Sequence, residues 1–312
     1  MDLTTLLHIA LLIAAGGLAA ATVAGFFGAS SGWLDYAAHF RPHFAVAALL
    51  AAAAGLLLDW QRSVLLVSAL VVVGIVNIGV ILVESRYRVA PAAAHGGTIL
   101  KIASVNVNFL NRQHALLDGW VRRERPDVLV VTEVDHTWVD AIEALGDLYP
   151  HRAIGRTKFV TMLSRRPWAS FEVVSGPRAR QGILVGRFDV GGTSLTVIGA
   201  HPASPVRPRW VPARDAELDV IARLAREAPG PVAAMGDFNA TPWSAPMRRL
   251  VRTSPLRYAD LQATTWPTSV PRWLGIKIDH IMLGNGCAVV DYQAGPNLGS
   301  DHRPVMATIR CG

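Results

Sequence analysis

Cysteine is nearly absent from this 312-residue chain, which contains only Cys287 and Cys311. Two cysteines provide neither the ligand spacing of a zinc site nor a disulfide framework. A single bridge between a late strand and the C-terminus would indicate an oxidising compartment, whereas two unrelated thiols would carry no such information. The sequence leaves both alternatives open.

Charged residues are missing from three long stretches in the first part of the chain. These apolar runs cover residues 3–27, 44–58 and 64–83 and contain no Lys, Arg, Asp or Glu. They contribute to a mean hydropathy of +0.32, which is high for a wholly soluble protein. Because a bilayer core about 30 Å thick takes roughly 20 helical residues, the first and third runs are long enough to span it, and the second is short.

The first run also lacks the positive leading segment of a signal peptide, since Asp2 stands there instead. We therefore predict a membrane anchor with three transmembrane helices at residues 1–88, followed by a linker at residues 89–98. Buried core helices are the alternative for the second and third runs, but three such runs in series disfavour it. The chain is thus predicted to be an integral, multi-pass protein of a bacterial-type cell membrane.

The loops on the two sides of the predicted membrane differ in their content of Lys and Arg. With three spans, the loop at Asp59–Arg62 carries one of these residues, Arg62. The other side carries Arg41, Arg86, Arg88 and Lys101. Lys and Arg are enriched in cytoplasmic loops, so this count favours a cytoplasmic C-terminal domain, by a margin that one added charge would reverse.

The net charge of +7 belongs entirely to the part of the chain after residue 90. Arginines cluster there at Arg178–Arg187, Arg207–Arg214 and Arg248–Arg257. A basic surface suits an anionic partner such as phosphate, nucleic acid or anionic lipid headgroups. A solvated, Arg-rich surface without a partner is the alternative for each cluster, and no obligate protein partner is evident.

From residue 99 onward, apolar strands alternate with amphipathic helices, and no internal repeat is visible. This pattern predicts a layered α/β domain at residues 99–312, with helices outside packed sheets. Helical spacing occurs at residues 112–125, 138–145 and 214–228, and strands are predicted at 99–107, 128–132, 159–163, 171–175, 183–188, 195–200, 231–235, 278–283 and 305–309.

Polar residues that suit acid–base and metal chemistry stand at the ends of these apolar strands. Strands buried on both faces are continuous apolar runs, so polar side chains at their ends are costly unless they are paired or bind a metal. The set comprises Asn106, Glu133, His201, Asp237, Asn239, Asp279, Asp301 and His302.

Hydrolysis of a phosphate ester requires this combination of side chains. Mg²⁺ takes one or two carboxylates and keeps several waters, which makes Glu133 and Asp301 the candidate metal ligands. Asp237 and Asn239, two residues apart on an extended segment, would hold the attacking water. His302 would take its proton with Asp279 as the orienting carboxylate, and His201 would stabilise the transition state together with Asn239.

Six short segments, taken in order, resemble the endonuclease/exonuclease/phosphatase superfamily. This superfamily includes deoxyribonuclease I, exonuclease III-type repair enzymes, inositol polyphosphate phosphatases and neutral sphingomyelinases. The resemblance covers about residues 99–312, and Thr265-Trp266-Pro267 is similar to a segment of bacterial members, including membrane-tethered ones. The segments are residues 101–106 (KIASVN), 132–135 (TEVD), 200–202 (AHP), 236–242 (GDFNATP), 278–281 (IDHI) and 300–305 (SDHRPV).

The resemblance implies a four-layer α/β sandwich, with two packed mixed sheets flanked by helices, behind the three transmembrane helices. It also implies a Mg²⁺ or Mn²⁺ site and phosphoester hydrolysis. By motif position, Asn106, Glu133 and Asp301 would bind the metal, while His201, Asp237, Asn239, Asp279 and His302 would be catalytic.

The active-site Tyr of repair-type members has no match here, since Tyr149 fits poorly. The segment from Gly155 to Pro167 also has no evident DNA-inserting loop. Both departures disfavour abasic-site cleavage.

The sequence therefore predicts a membrane-anchored, metal-dependent phosphodiesterase or nuclease-like hydrolase. Its substrate would be a phosphate ester in nucleic acid or, as an alternative, in a phospholipid headgroup such as sphingomyelin or a phosphoinositide. A phosphomonoesterase acting on soluble inositol phosphates is a third interpretation. A non-catalytic, membrane-tethered binding module is the alternative of another class, and the intact polar set disfavours it.

Overall fold

Apolar strands, several of them buried along their whole length, build the larger part of this protein. The computed structural model describes residues 1–90, 96–154, 159–175 and 182–312, without the side chains of residues 59–62, 154 and 208. Its strands are β1 (Thr98–Asn106), β2 (Val128–Thr132), β3 (His151–Ile154), β4 (Val160–Ser164), β5 (Ser170–Val174), β6 (Ile183–Asp189), β7 (Ser194–Gly199), β8 (Val232–Asp237), β9 (Arg257–Tyr258), β10 (Asp279–Gly284), β11 (Cys287–Ala294) and β12 (Val305–Cys311).

The strands form two mixed sheets of six strands each. The order in the first sheet is β11-β12-β1-β2-β4-β3, and in the second it is β5-β6-β7-β8-β10-β9. Each sheet contains a parallel pair, β1 with β2 and β7 with β8, among antiparallel neighbours. The prediction of two mixed sheets is confirmed.

Alternation along the central strands explains why they are apolar throughout. In β2, Val128 and Val130 contribute to the core shared with the second sheet, whereas Leu129 and Val131 contribute to a core on the other face. Successive strand residues point to opposite faces, so a strand covered on both sides needs apolar residues at every position.

Helices cover the outer faces of the sheets. Leu117 and Trp120 of α4 (His114–Glu124) and Trp138 of α5 (His136–Glu143) join the outer core of the first sheet. The helix α6 (Val211–Glu227) packs on β7 and β8 of the second sheet through a stripe that includes Leu218 and Ile221. Helices outside two packed sheets make the predicted four-layer α/β sandwich.

Apolar helices dominate the N-terminal segment. They are α1 (Leu3–Ala24), the short α2 (Gly32–Ala38) and a helical run, α3 (Arg41–Ser85). A straight α3 would place Arg41 and Asn77 about 54 Å apart at 1.5 Å per residue. The Arg41 guanidinium nevertheless donates to Asn77 Oδ1 at 3.2 Å, so α3 folds back on itself as two antiparallel arms.

The arms and α1 give three candidate spans, Leu3–Ala24, Arg41–Leu58 and Ser63–Ser85, each long and apolar enough to cross a membrane. The predicted polar loop at Asp59–Arg62 coincides with the reversal, where the backbone is helical. Asn77 also donates to Thr22 Oγ1 at 2.8 Å, which ties the third span to the first. Such polar contacts between apolar helices are typical of membrane bundles.

The chain divides into two compact units. The N-terminal unit comprises residues 1–86 and Thr241–Arg248, and the sandwich unit comprises residues 87–240 and 249–312. Of the predicted linker, residues 91–95 lie outside the described residues. The final α-helix, α7 (Ala245–Thr253), begins within the segment Thr241–Arg248.

The two cysteines form a disulfide. Cys287 opens β11 and Cys311 closes β12, and the register of these antiparallel strands places the two residues opposite each other. The bridge thus fastens an edge strand of the first sheet to its neighbour. Of the two alternatives left open by the sequence, the structure has the bonded one.

Candidate active site

The predicted site residues come together at one end of the sandwich because of the strand directions. Parallel strands β1 and β2 end beside Asn106 and Glu133, and parallel strands β7 and β8 end beside His201 and Asp237. Strand β10 begins at Asp279, directly opposite Asp237 in an antiparallel pair. The segment that carries Asp301 and His302 leads into β12, which pairs antiparallel with β1.

An amide–carboxylate cluster forms the centre of the site. The Asn106 side-chain amide donates to Glu133 Oε1 at 2.9 Å and to Asp237 Oδ2 at 3.0 Å. Its own oxygen, Oδ1, accepts the backbone N–H of Asn108. Glu133 has a φ of 61°, in the left-handed region that non-glycine residues rarely adopt. Such strain is concentrated at functional positions, in agreement with a role for this carboxylate.

His201 and Asn239 lie on the other side of Asp237. His201 Nε2 is 3.3 Å from Asp237 Oδ2 and 3.2 Å from Asn239 Nδ2. Burial opposes protonation of His201, but the hydrogen bond and the charge of Asp237 outweigh it and raise the pKa of the imidazole. Asn239, with a φ of 51°, donates its backbone N–H to Asp237 Oδ1 at 2.8 Å. The Gly-Asp-x-Asn turn therefore makes an Asx-type bond and also brings both side chains into the site.

A buried His–Asp pair completes the arrangement. His302 Nδ1 is 2.9 Å from Asp279 Oδ2, and His302 Nε2 is 3.8 Å from Asp237 Oδ2. Burial lowers the pKa of His302, but the carboxylates of Asp279 and Asp237 outweigh this and raise it to about 10. Burial also raises the pKa of Asp279. Both shifts hold a proton on the pair.

Asp301 is set apart from this centre by its hydrogen bonds. Its two oxygens accept from the side-chain amide of Asn108 at 2.6 Å and from the indole N–H of Trp266 at 3.0 Å. A carboxylate has about four acceptor positions, so two remain after these bonds. The structure therefore brings seven of the eight predicted side chains into one contact network and connects Asp301 to Asn106 through Asn108.

The donor set fits a hard divalent cation. Glu133, His201 and Asp237 offer ligand atoms within 4.8 Å of one another, and so do Asp237, Asp279 and His302. Burial raises the pKa of Asp237, but His302 and His201 outweigh it and lower the pKa to about 2, so this carboxylate is ionised. Oxygen-rich clusters of buried carboxylates are the sites that such cations prefer.

Some residues of the site were not predicted from the sequence. Asn108 links Asp301 to Asn106, and Thr265 Oγ1 accepts the backbone N–H of Asp279. The ring of Phe159 stacks on His201 with centroids 5.7 Å apart. The position of Asn108, two residues after Asn106, could have indicated that it belongs to the site. Nothing in the sequence pattern around Phe159 indicates that it does.

Gly236 shows how closely β7 and β8 approach beside the site. Its φ is 152°, and a Cβ on it would overlap the carbonyl oxygen of Ala200. Because Ala200 precedes His201 and Gly236 precedes Asp237, this close approach sets the spacing of the two catalytic candidates. Only glycine satisfies both the space and the backbone conformation.

Tyr149 and several of the clustered arginines lie elsewhere or have structural partners. Tyr149 is buried and donates its hydroxyl to the carbonyl of Pro126 at 3.0 Å. Among the arginine clusters, Arg187 pairs with Glu172, Arg214 with Asp215 and Arg249 with Asp219. Arg178 and residues 155–158 lie outside the described residues.

Comparison with known proteins assigns the family. The model of the Endonuclease/Exonuclease/phosphatase family matches residues 103–302, so the chain belongs to this family. A comparison with curated proteins gives no match.

Solved structures share the fold at low sequence identity. TDP2 of D. rerio complexed with single strand DNA product has a TM-score of 0.59 and 19% identity, over 68% of this chain and 99% of that one. The endonuclease/exonuclease/phosphatase from Beutenbergia cavernae DSM 12333 has a TM-score of 0.58 and 19% identity, over 69% of this chain and 72% of that one. The predicted resemblance is confirmed, and with it a phosphodiesterase- or nuclease-like fold that contains a candidate metal site.

Proposed function

We propose that this chain is a membrane-anchored, divalent-metal-dependent phosphodiesterase. Asp237 lies between the Asn106–Glu133 amide–carboxylate pair, the His201 imidazole and the Asp279–His302 pair, and this arrangement is the main support for hydrolysis. A binding module would have no need for a buried His–Asp pair beside the ionised carboxylate of Asp237. Residues 1–88 act as the anchor, residues 89–98 as the linker and residues 99–312 as the catalytic domain.

Asn106, Glu133 and Asp301 would hold the cation, which we propose is Mg²⁺ or Mn²⁺. When bound, the cation would polarise a phosphoryl oxygen, neutralise developing charge and lower the pKa of the nearby imidazoles. Asn106 supports Glu133 by donating to its carboxylate. The bonds from Asn108 and Trp266 orient Asp301.

His302 is the proposed general base in the metal-loaded protein, where the charge of the cation would offset the two carboxylates that raise its pKa. Asp279 fixes the ring through Nδ1, which leaves Nε2 directed towards Asp237. The proton that Nε2 takes from the attacking water produces an imidazolium, and the adjacent Asp279 carboxylate stabilises it. Asp237 and Asn239 position that water.

His201 and Asn239 are the proposed donors to the phosphoryl oxygens. Their polar atoms lie 3.2 Å apart, and Asp237 Oδ2, 3.3 Å from His201 Nε2, favours a proton on that nitrogen. Donors fixed in place before the reaction stabilise the charge that develops in the transition state. Asn239 is held by its bond to the carbonyl of Pro202 at 3.0 Å.

Nucleic acid is the proposed substrate class, because the chain after residue 90 carries the whole net charge of +7. The D. rerio neighbour with single strand DNA product shares this fold and is consistent with that choice.

A phospholipid headgroup is the second candidate. It is favoured by the three apolar spans, in which side chains such as Leu57 and Leu65 are 89% and 83% exposed. Apolar surface of this extent suits a bilayer.

The test is a substrate panel with the full chain in lipid nanodiscs, in Mg²⁺ or in chelator. The panel comprises plasmid DNA, RNA, sphingomyelin, phosphoinositides and soluble inositol phosphates. We expect the wild type to cleave nucleic acid only in Mg²⁺. Asp237→Asn should abolish this cleavage, and the exposed-site control Asp291→Asn should retain it. If about six to ten phosphates are contacted, affinity should fall by about 10³–10⁵ between 50 and 200 mM salt.

Two other results would change the assignment. Turnover of lipid headgroups with a weak salt dependence would establish the second candidate. Absence of turnover on every substrate, with Glu133→Gln indistinguishable from wild type in Mg²⁺ binding, would favour the non-catalytic module.

A further inference from the structure

The segment Thr241–Arg248 belongs to the N-terminal unit, although it follows the Asp237–Ala240 turn of the candidate site directly in the chain. It also lies within the part of the chain that matches the hydrolase family. A piece of the hydrolase sequence is therefore packed with the predicted anchor helices.

Two buried side chains of the N-terminal unit hold this segment. The backbone N–H of Thr241 donates to His39 Nδ1 at 3.2 Å, and Thr241 Oγ1 lies 3.1 Å from the same nitrogen. The backbone N–H of Ala245 donates to Asp35 Oδ1 at 2.9 Å. Asp35 is 1% exposed and His39 is 5% exposed, so water competes little for these bonds.

Asp35 serves as the N-terminal cap of α7. Ala245 is the first residue of this helix, and the first N–H groups of a helix have no partner within it. A carboxylate at this end satisfies one of them and is favoured by the helix dipole. Gly28 leaves room for the cap, because a Cβ there would lie 2.5 Å from Asp35 Oδ1. His39 Nε2 lies 3.8 Å from the other oxygen of Asp35.

The chain between β8 and α7 has little freedom once these bonds are made. Asp237 Oδ1 accepts the N–H of Asn239, and two residues later Thr241 is bonded to His39. The carbonyl of Thr241 accepts both the N–H and the hydroxyl of Ser244, at 3.0 and 2.8 Å. Hydrogen bonds from the N–H groups of Asn239, Thr241, Ser244 and Ala245 therefore fix the chain at intervals between β8 and α7.

We infer that Asp35 and His39 are positioning residues for hydrolysis, which hold the Asp237–Asn239 turn by fixing the chain that follows it. The inference rests on the proposed hydrolase function. A displacement of about 1 Å in a catalytic group can cost about 10²-fold in rate, so loss of either side chain affects a site that it does not touch.

The test compares Asp35→Ala, Asp35→Asn and His39→Ala with wild type, as full chains in nanodiscs, with bis(p-nitrophenyl) phosphate and Mg²⁺. Asp35→Ala and His39→Ala should lower kcat by about 10- to 100-fold with little change in KM. Asp35→Asn keeps an acceptor for the Ala245 N–H and should recover most of the loss. The exposed-site control Ser30→Ala should match wild type.

Hydrogen exchange and thermal unfolding separate positioning from general destabilisation. The amides of Thr241 and Ala245 should exchange faster in both alanine variants, while the amides of β1 and β2 keep their protection. Folded variants with unchanged kcat would overturn the inference and leave the hydrolase function standing. A wild-type chain without turnover on any phosphodiester would overturn the proposed function, and the inference with it.

Discussion

His302 Nδ1 lies 2.9 Å from Asp279 Oδ2, and both side chains are buried at the junction of the two sheets. Asp279 opens β10, and His302 stands three residues before β12, so the pair joins the second sheet to the first. Thr265 Oγ1 accepts the backbone N–H of Asp279 and so fixes the strand end that carries this carboxylate. The imidazole therefore has one orientation before any substrate arrives.

Asp279→Asn should reduce kcat by about 10²–10⁴-fold, the range for a lost acid–base contribution. The amide still accepts a hydrogen bond but carries no charge, so the imidazolium formed at His302 loses its stabilisation. Steady-state kinetics with Mg²⁺ would measure this, with Asp291→Asn as the exposed control. A kcat within a factor of two of wild type would exclude the His302–Asp279 pair from the chemistry.

Mg²⁺ should stabilise the wild-type protein against thermal unfolding, because a ligand that binds only the folded state adds about 2.7 kcal/mol at 100 times its Kd. Glu133→Gln should lose this stabilisation. Glu172→Gln should retain it, since Glu172 is an exposed residue that pairs with Arg187. An equal Mg²⁺ response in the two variants would contradict a metal role for Glu133. This measurement needs no substrate.

His280 should make the folded state sensitive to acid. Burial and the charge of Lys277 lower its pKa to about 3, and its Nε2 donates to the carbonyl of Ala240 at 2.8 Å. The unfolded chain has a His pKa near 6.5, so between about pH 6.5 and 3 the unfolded state binds the extra proton and stability falls as pH falls. The loss is about 1.4 kcal/mol per pH unit within that window.

His280→Gln should flatten this dependence, since the amide can still donate to Ala240 and does not titrate. Chemical denaturation of both proteins at pH 7 and pH 5 would measure it. Parallel pH profiles for the variant and wild type would show that His280 does not contribute.

The buried strands are continuous apolar runs whose ends are visible in the sequence, and this made the site predictable. Strands such as β2 and β8 are buried at every position, so their ends were evident, and the polar residues there could be grouped. Because the parallel pairs β1–β2 and β7–β8 direct these ends to the same side, the candidate residues meet. The family resemblance supplied the two-sheet arrangement, which strand patterns alone do not define.

Edge strands and long-range contacts were not predictable in the same way. β11 is partly exposed and contains Asp291 and Gln293, so it has no continuous apolar run and was not predicted. The two-residue β9 is too short for any periodic signal. The contacts of Asp35 and His39 with residues 241–245 join positions about 200 apart, and no local pattern encodes them.

The disulfide allows a prediction of sidedness. Cys287 and Cys311 are paired and buried, and such bonds persist in oxidising compartments and are rare in the cytosol. The count of Lys and Arg favours the opposite side, but a single added charge reverses such a count. We therefore expect the sandwich unit to lie outside the cytoplasm. A C-terminal alkaline phosphatase fusion should then be active, and a C-terminal fusion to green fluorescent protein should not fluoresce. Cys287→Ser with Cys311→Ser should lower the free energy of unfolding by about 3 kcal/mol. If the green fluorescent protein fusion fluoresces, and both thiols are alkylated in native membranes without reductant, the domain lies in the cytoplasm.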